Sequence, residues 1–405
     1  MKLQANKLAT LALAAMVITG MSSCNRKGCI DATATNYDEN AKKDDGTCEY
    51  ETSFTLSGDI TEDFLVEAQT PNGDTINWTL SGGVHVKNGA TITIEPGVTI
   101  TADPNESVAY VLVEQGGMIM AEGTADAPIV FTSGKSNPAR GDWGGIIING
   151  KAPVNGGTTL TAEVGDIVYG GSDASDNSGS LRYVRVEYTG NAINDEKEHN
   201  GFTFNGVGSG TTAEYLQAYY GGDDGFEFFG GTLNAKWLIS TGSKDDSFDW
   251  TYGWSGTGSN WIAEQEQKNG GEGDRGIEAD NRSGANDATP FSNPTISKIT
   301  LVGRSGTEAA GMKLREGTKG TFSNISISNF GNAVEIQHPT TVAGAAAGDL
   351  TLSNVTTSSV AGDFKVADAA NSADSTSTAT MLINAINGSG TGADSGWRSG
   401  WARDL

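Results

Sequence analysis

Two stretches of this sequence, 22 residues apart, place a pair of acids one residue ahead of a triplet of alternating aromatic and acidic side chains. The first reads GGDDGFEFFGG from Gly221, and the second reads SKDDSFDW from Ser243. Because successive side chains of a β-strand point to opposite faces, the aromatic residues of each triplet face one way and the acid, Glu227 or Asp249, faces the other. Several carboxylates on one face are the oxygen ligands that Ca²⁺ prefers. The predicted metal ligands are Asp223, Asp224, Glu227, Asp245, Asp246, Asp249, Asp274 and Glu278.

These acids allow two interpretations. Like charges held close together repel, so the group should either bind a cation or keep some of its members protonated. Alternatively, the Asp residues accept hydrogen bonds from turn amides while the strand acids are simply solvated. The chain has only three His and three Cys, which argues against zinc and leaves calcium as the cation to expect.

The triplet recurs along the chain, with successive first residues 24, 22, 29, 35, 22 and 30 residues apart. A minimum near 22 with a variable excess is typical of a solenoid whose coils carry loops of different length at one corner. No long run has the 3.6-residue periodicity of a helix. We therefore predict an all-β protein, a right-handed parallel β-helix whose coils stack about 4.8 Å apart. The aligned triplets are Phe202-Thr203-Phe204, Phe226-Glu227-Phe228, Phe248-Asp249-Trp250, Ile277-Glu278-Ala279, Met312-Lys313-Leu314, Val334-Glu335-Ile336 and Phe364-Lys365-Val366.

The N-terminus has the pattern of an export signal. Lys2 and Lys7 precede an apolar run from Leu8 to Ile18 that is too short to span a bilayer permanently. The following Met-Ser-Ser-Cys resembles a lipoprotein cleavage box, which predicts that Cys24 is lipidated. In an exported protein the two remaining cysteines, Cys29 and Cys48, are expected to form a disulfide.

Several longer segments resemble a family of pectin-lyase-like, β-helical envelope lipoproteins from Bacteroidota bacteria that has no settled activity. They are GGVHVKNGATITIEPGVTI, GDWGGIIING, GGDDGFEFFGGT and DDSFDW, within a match covering most of residues 75–400. Residues 28–50, which read GCIDATATNYDENAKKDDGTCEY, resemble a short Cys-bounded module of exported proteins. Its Asp and Asn residues could coordinate calcium or could cap turns. The resemblance implies a fold and an outer-membrane location, on either the surface or the periplasmic face, rather than a reaction.

The expected organisation follows the chain. We predict a signal peptide over residues 1–23, a lipid-anchored Cys-bounded module over 24–50, a linker and cap over 51–80, the β-helix over 81–395 and a tail over 396–405. The net charge of −24 repels phosphate backbones, so nucleic acid is not an expected partner. The expected partners are the membrane, reached through the lipid anchor, and a glycan or another envelope protein.

The aromatic residues beside the acids suggest glycan binding. Tyr252, Trp254 and Trp261 lie in the Gly-rich segment TYGWSGTGSNW and could stack on the flat apolar faces of sugars, or could pack this segment onto the coil. His199 follows the charged segment NDEKEHN and is expected to face solvent. The preferred function is therefore an anchored envelope protein with an acidic face, stabilised by calcium, that binds a glycan or a partner protein.

The alternative is a calcium-dependent polysaccharide lyase or glycoside hydrolase that uses the same face. In lyases with the fold that the resemblance implies, calcium neutralises a uronate carboxylate while an Arg or Lys removes the neighbouring proton. Lys313 and Arg315 lie on the coil after Glu278 and are the candidates for that base, although Arg315 could equally form a surface ion pair. Glu227 and Asp249, on adjacent coils, would lie near the separation found in retaining glycosidases.

Overall fold

The computed structural model describes residues 26–405 except 107, 194–196, 268–270 and 305. Cys24 lies outside the described residues, so its lipidation stays a prediction. Among the described residues, no helix is both long and apolar enough to span a bilayer.

Short alternating segments form 25 strands in the described part of the chain, and 23 of them join one large sheet. The other two, β10 and β11, form a small antiparallel ribbon. The strands are β1 Ser53–Ile60, β2 Phe64–Val66, β3 Asn77–Val86, β4 Thr91–Ile94, β5 Thr99–Ala102, β6 Tyr110–Val113, β7 Met118–Glu122, β8 Ile129–Ser133, β9 Ile146–Asn149, β10 Leu160–Thr161, β11 Val168–Tyr169, β12 Gly179–Glu187, β13 Phe202–Asn205, β14 Thr212–Tyr219, β15 Phe226–Phe229, β16 Asn234–Thr241, β17 Phe248–Thr251, β18 Thr257–Glu264, β19 Ile277–Ala279, β20 Thr295–Val302, β21 Ala310–Leu314, β22 Gly320–Ser328, β23 Asn332–Gln337, β24 Leu350–Ser358 and β25 Gly362–Ala367.

Every pairing in the large sheet is parallel, and each strand pairs with the equivalent strand of the next coil. This is a parallel β-helix, as the triplet spacing predicts. From β12 onward each coil has one long bent strand (β12, β14, β16, β18, β20, β22, β24) and one shorter strand (β13, β15, β17, β19, β21, β23, β25). We call the shorter strands the triplet column, because all seven predicted triplets lie in them and pair in the predicted register.

The inward side chains of the triplet column fill the interior. Phe202, Phe226 and Phe248 are fully buried, with ring centroids 5.2 and 5.5 Å apart from one coil to the next. Equivalent positions on adjacent coils therefore carry similar side chains, apolar inside the coil and polar outside. A shift of one residue would turn the apolar side chains outward, so the spacing of the apolar pairs determines the register.

Two helices at the C-terminal end depart from the sequence prediction. They are α1 (Pro339–Ala347) and α2 (Ser372–Ala385), which pack against each other and against β24. Along α2 the buried residues Thr378, Leu382 and Ala385 are spaced as on one face of a helix. The helices cover apolar side chains at the last coils, which have no further coil to bury them.

The N-terminal module is closed as predicted, by a disulfide between Cys29 and Cys48 with Cα atoms 4.8 Å apart. Its acids cap turns: Asp31 accepts hydrogen bonds from Thr33 N (2.9 Å) and from the Tyr50 hydroxyl (2.8 Å). Of the described acidic groups that could hold a metal, none lies in this module. The turn-capping interpretation is therefore the one that the side-chain contacts support.

Candidate functional site

The outward positions of the triplet column form a ladder of charged side chains. Glu227, Asp249 and Glu278 pair directly with one another on β15, β17 and β19. Lys313, Glu335 and Lys365 continue the same row on the next three coils. Three consecutive carboxylates are thus brought together by the register alone.

The corner before each of these strands adds the paired acids. Asp224 Oδ1 accepts a hydrogen bond from Asp246 N (2.9 Å), and Asp246 Oδ1 accepts one from Arg275 N (2.6 Å). Each of these two buried acids therefore fastens one corner to the next coil. The turn-capping interpretation is correct for one oxygen of each. The second oxygen of Asp246 lies 3.6 Å from the Arg275 guanidinium.

Corner and ladder acids converge. Within each of four groups of three acids, one carboxylate oxygen per residue lies within 4.8 Å of those of the other two. We call the space between the coils of β15 and β17 the first interval, and that between β17 and β19 the second. The groups are Asp223–Asp224–Asp245 and Asp224–Glu227–Asp249 in the first interval, and Asp245–Asp246–Asp274 and Asp246–Asp249–Glu278 in the second. All eight predicted ligands belong to these groups.

The groups open into one cleft, which we call the acidic cleft, with a volume of about 530 Å³. Two further acids line it, Glu163 from the segment between β10 and β11, and Glu198 from the segment before β13. Lys244 is the one basic residue among the described residues that line it. The sequence did not indicate Glu163 or Glu198 as site residues, because neither lies in a triplet and only the folded chain brings them to the ladder.

Burial and mutual repulsion make these acids hold their protons. Burial, reinforced by neighbouring carboxylates, raises the pKa of Asp224, Glu227, Asp246 and Asp249 well above the usual range for carboxyl groups. The same causes raise the pKa of Asp223 to about 8. At neutral pH the cleft therefore holds protons that a cation could replace.

The second interval already contains two cationic side chains. Arg275 lies 2.6 Å from Asp274 and 3.1 Å from Glu278, and Arg315 lies 2.6 Å from Glu278 and 2.8 Å from Asp280. Burial works against the charge of Arg315, but Asp280 and Glu278 outweigh it and raise the pKa of this guanidinium. Much of the negative charge of the second interval is thus compensated from within the protein.

The first interval has no such arginine within ion-pair distance among the described residues. Glu227 accepts a hydrogen bond from the neutral amide of Asn200. Asp249, which both intervals share, has its Oδ1 buried without a hydrogen-bond partner among the described residues. A buried carboxylate oxygen without a donor is costly, and a bound cation would remove that cost.

The predicted aromatic part of the site requires correction. Trp254 and Trp261 are both 0% exposed and belong to the core, so neither can stack on a sugar. Their indole N–H groups donate to Leu233 O and Ala235 O at 3.2 and 3.0 Å. Gly258 makes room for one of them, because a Cβ there would lie 2.8 Å from the Trp261 ring.

Tyr252 is half-buried and its ring is already in contact with protein groups. It packs against Phe229, with ring centroids 6.0 Å apart, and the Arg282 guanidinium lies 5.7 Å from its centroid. His199 also differs from expectation: it is 2% exposed rather than facing solvent, and burial lowers its pKa to about 4. The face beside the ladder is thus acidic without being aromatic.

The two predicted bases occupy different situations. Arg315 is held by two carboxylates and keeps its proton, which is unfavourable for proton abstraction. Lys313 is half-buried on β21 beside Glu278 in the ladder, and its charge acts to lower the pKa of that acid.

Residues 58–402 match the family model described as pectate-lyase like beta helix domain. The chain belongs to this family. No curated protein matches the sequence. Among solved structures, the A-module of a mannuronan C-5 epimerase from Azotobacter vinelandii is similar at 10% identity and a TM-score of 0.26, over 79% of this chain and 90% of that one. Membership in the family accounts for the stacked coils, and the chemistry of the cleft has to be argued from its own side chains.

Proposed function

We propose that the acidic cleft of this β-helical protein binds a divalent cation, with calcium as the expected ion, in the first interval. The observation that carries this proposal is the convergence of Asp223, Asp224, Glu227, Asp245 and Asp249, with no arginine in the described part of the chain within ion-pair distance to balance them. Calcium accepts six to eight oxygen ligands in flexible geometry, and such a set of carboxylates supplies them.

The bound cation would in turn allow the cleft to bind a glycan. The nine acids that line the cleft offer an anionic sugar no favourable charge, whereas a bound divalent ion attracts carboxylate and hydroxyl oxygens. We propose that the protein is an outer-membrane lipoprotein, anchored through Cys24, and that its cation-loaded cleft binds an acidic glycan of the cell envelope. This part of the proposal rests on the export signal and on the charge of the cleft.

Calcium titration of the purified protein by isothermal calorimetry tests the cation directly. The wild type is expected to bind calcium with saturation, and Asp249→Asn is expected to weaken the binding at least tenfold because it removes a ligand common to both intervals. Glu335→Gln is the matched control. It neutralises an acid in the same ladder that lies outside the cleft, where Lys365 is 3.0 Å away.

Equal affinity of the wild type and Asp249→Asn would contradict the proposed ligands. Absence of any calcium binding by the folded wild-type protein would contradict the cation site. Glycan binding is then measured with uronate oligosaccharides, in calcium and in EDTA, with neutral oligosaccharides as controls. Binding that persists unchanged in EDTA would contradict the role of the cation.

Cleavage of a glycosidic bond is the second candidate, and one feature favours it. Glu227 and Asp249 bring one oxygen each within 4.8 Å, and burial together with neighbouring carboxylates raises the pKa of both, as a general acid requires. In a retaining hydrolase the protonated acid gives its proton to the leaving oxygen while the carboxylate attacks the sugar carbon. A lyase would need Lys313 as its base, because Arg315 is held by its two carboxylates.

A screen of neutral and uronate-containing polysaccharides separates these possibilities. Hydrolysis that disappears in Glu227→Gln and survives in Lys313→Ala would support the hydrolase. Formation of unsaturated products that depends on Lys313 would support a lyase. No turnover of any substrate, together with saturable calcium binding, would leave the binding function as the better account.

A further inference from the structure

The last eighteen residues, 388–405, run along the outside of the coil against the long strands, and we call them the C-terminal strap. They begin beside β24, where Gly388 N donates to Val355 O (3.0 Å). They finish beside β12, where Arg403 Nη1 lies 2.9 Å from Glu187. The strap thereby contacts coils that are not neighbours in the stack.

The first half of the strap is held by asparagines in equivalent positions of the long strands β24, β22 and β18. Asn354, Asn324 and Asn260 have left-handed backbone conformations with φ of 52°, 58° and 57°, and each side chain accepts a hydrogen bond from the strap. The donors are the Ser389 hydroxyl (3.1 Å), Thr391 N (2.7 Å) and Asp394 N (3.3 Å), in that order.

The second half is held by aromatic and charged groups. Tyr183, Tyr215 and Trp237, from the equivalent positions of β12, β14 and β16, stack with centroids 4.3 and 4.4 Å apart. Their faces are occupied by one another, and Trp397 and Trp401 of the strap meet the two tyrosine rings in edge-to-face contacts. The stack therefore contacts the strap, and both ring faces of Tyr215 are covered by its stacked neighbours.

Two arginines complete the attachment. Arg398 makes a bidentate ion pair with Glu264 of β18, with N–O distances of 2.7 and 2.8 Å. Arg403 exchanges backbone hydrogen bonds with the side chain of Gln217 at 2.7 and 2.8 Å, and its guanidinium lies 4.3 Å from the centroid of the Tyr219 ring. The strap is thus a built interface rather than a loose tail.

A solenoid is held by contacts between adjacent coils, so its end coils can open without disturbing the rest. We propose that the C-terminal strap prevents this independent opening of the last coils, so that the coils from β12 to β24 open together as one cooperative unit. Opening the last coils requires the strap to leave β24 and β22, and its attachment to β12, β14 and β18 resists that. The device is independent of cation binding, because none of the strap contacts involves the acids of the first interval.

Hydrogen exchange followed by mass spectrometry, in EDTA, tests the proposal on the full-length chain. The variant is Arg398→Ala combined with Trp401→Ala, which loosens the strap where it meets β12, β14 and β18. The expected result is at least tenfold faster exchange in β22 and β24, strands that neither mutated residue contacts. A merely local role would accelerate exchange in β12, β14 and β18 alone, and that outcome would overturn the proposal.

Arg182→Ala is the matched control. It breaks an ion pair between β12 and β14, where Arg182 lies 3.3 Å from Glu214 without touching the strap, and should leave exchange of β22 and β24 unchanged. If the double variant does not fold, Arg398→Ala alone is measured in the same way. Unchanged exchange of β22 and β24 in that folded single variant would also overturn the proposal.

Discussion

The two intervals of the acidic cleft have the same origin and opposite charge balance. Both arise from acids at the same corner and ladder positions of adjacent coils. In the second interval Arg275 and Arg315 lie within 3.1 Å of the oxygens of Asp274, Glu278 and Asp280. The first interval has Lys244 at its rim and the neutral amide of Asn200 beside Glu227.

The difference shows that a repeated motif does not define a repeated site. Each coil reproduces the backbone and the acids, but the counter-ions come from residues outside the repeated triplet. A compensated interval behaves as a structural ion-pair network, whereas an uncompensated one can gain free energy by binding a cation. The following experiments act on one interval at a time, in order of expected effect.

Removing the internal counter-ion of the second interval should have the largest effect on stability. Arg315→Met would leave Asp280 buried without its cation and Glu278 with Arg275 alone, and loss of one partner of a buried ion pair costs about 3 kcal/mol or more. The measurement is urea unfolding of the variant and the wild type. A loss smaller than about 1 kcal/mol would mean that Arg315 does not compensate these acids.

Calcium should stabilise the protein through the first interval. At a free concentration one hundred times the Kd, a single site adds about 2.7 kcal/mol to the free energy of unfolding. Thermal unfolding in calcium and in EDTA should show this gain in the wild type and in Glu335→Gln, and little of it in Glu227→Gln. An equal gain in Glu227→Gln would place the cation elsewhere.

Without calcium, stability should fall as the pH rises from 7 to 9. A carboxyl group whose pKa is raised in the folded state keeps its proton longer than in the unfolded chain, so its contribution is greatest below about pH 4. That contribution is lost as the pH rises through the folded value, which is about 8 for Asp223. Burial lowers the pKa of His199 to about 4, so it stays neutral throughout this range.

The check is the melting temperature as a function of pH in EDTA and in calcium. Calcium should flatten the decline, because it replaces the protons of the cleft. Parallel curves in the two buffers would show that the acids of the first interval do not control the pH dependence.

The smallest effect is expected at the exposed end of the ladder. Lys365 pairs with Glu335 at 3.0 Å, but about half of the lysine side chain is exposed, and such surface pairs contribute between zero and about 1 kcal/mol. Urea unfolding of Lys365→Met should therefore differ little from the wild type. A loss as large as that of Arg315→Met would remove the distinction between buried and exposed counter-ions.

The fold and the acidic half of the site could be predicted from the sequence, and the rest could not. Apolar pairs such as Phe226 and Phe228 recur after the number of residues that one coil of a solenoid needs. This spacing predicts that Glu227, Asp249 and Glu278 lie side by side on adjacent strands. The aromatic prediction was wrong because the second half of TYGWSGTGSNW begins the strand β18, whose Gly258 is buried and makes room for Trp261. In such a Gly-rich segment, the neighbouring residues do not indicate whether a Trp side chain faces the core or the solvent.

Contacts between residues far apart in the chain could not be predicted for a similar reason. Glu163 and Glu198 enter the cleft from segments without a triplet. The sequence allowed an ion pair for Arg315, but it did not show that the arginines would balance the second interval and not the first. The Trp-rich ending was predicted as a tail, yet Trp401 is buried against Tyr183 and Tyr215. Burial of this kind depends on partners more than a hundred residues earlier in the chain, such as Glu264 for Arg398 at a separation of 134 residues.

Anomalous X-ray diffraction from a crystal of the protein soaked in calcium tests the central claim most directly. The account predicts a peak in the first interval, within 2.3–2.6 Å of oxygens that include Glu227 and Asp249, a distance range typical of about six to eight oxygen ligands. It also predicts that Arg275 and Arg315 keep their contacts with Glu278. A calcium peak in the second interval with Arg275 displaced, or no peak at millimolar calcium, would contradict it.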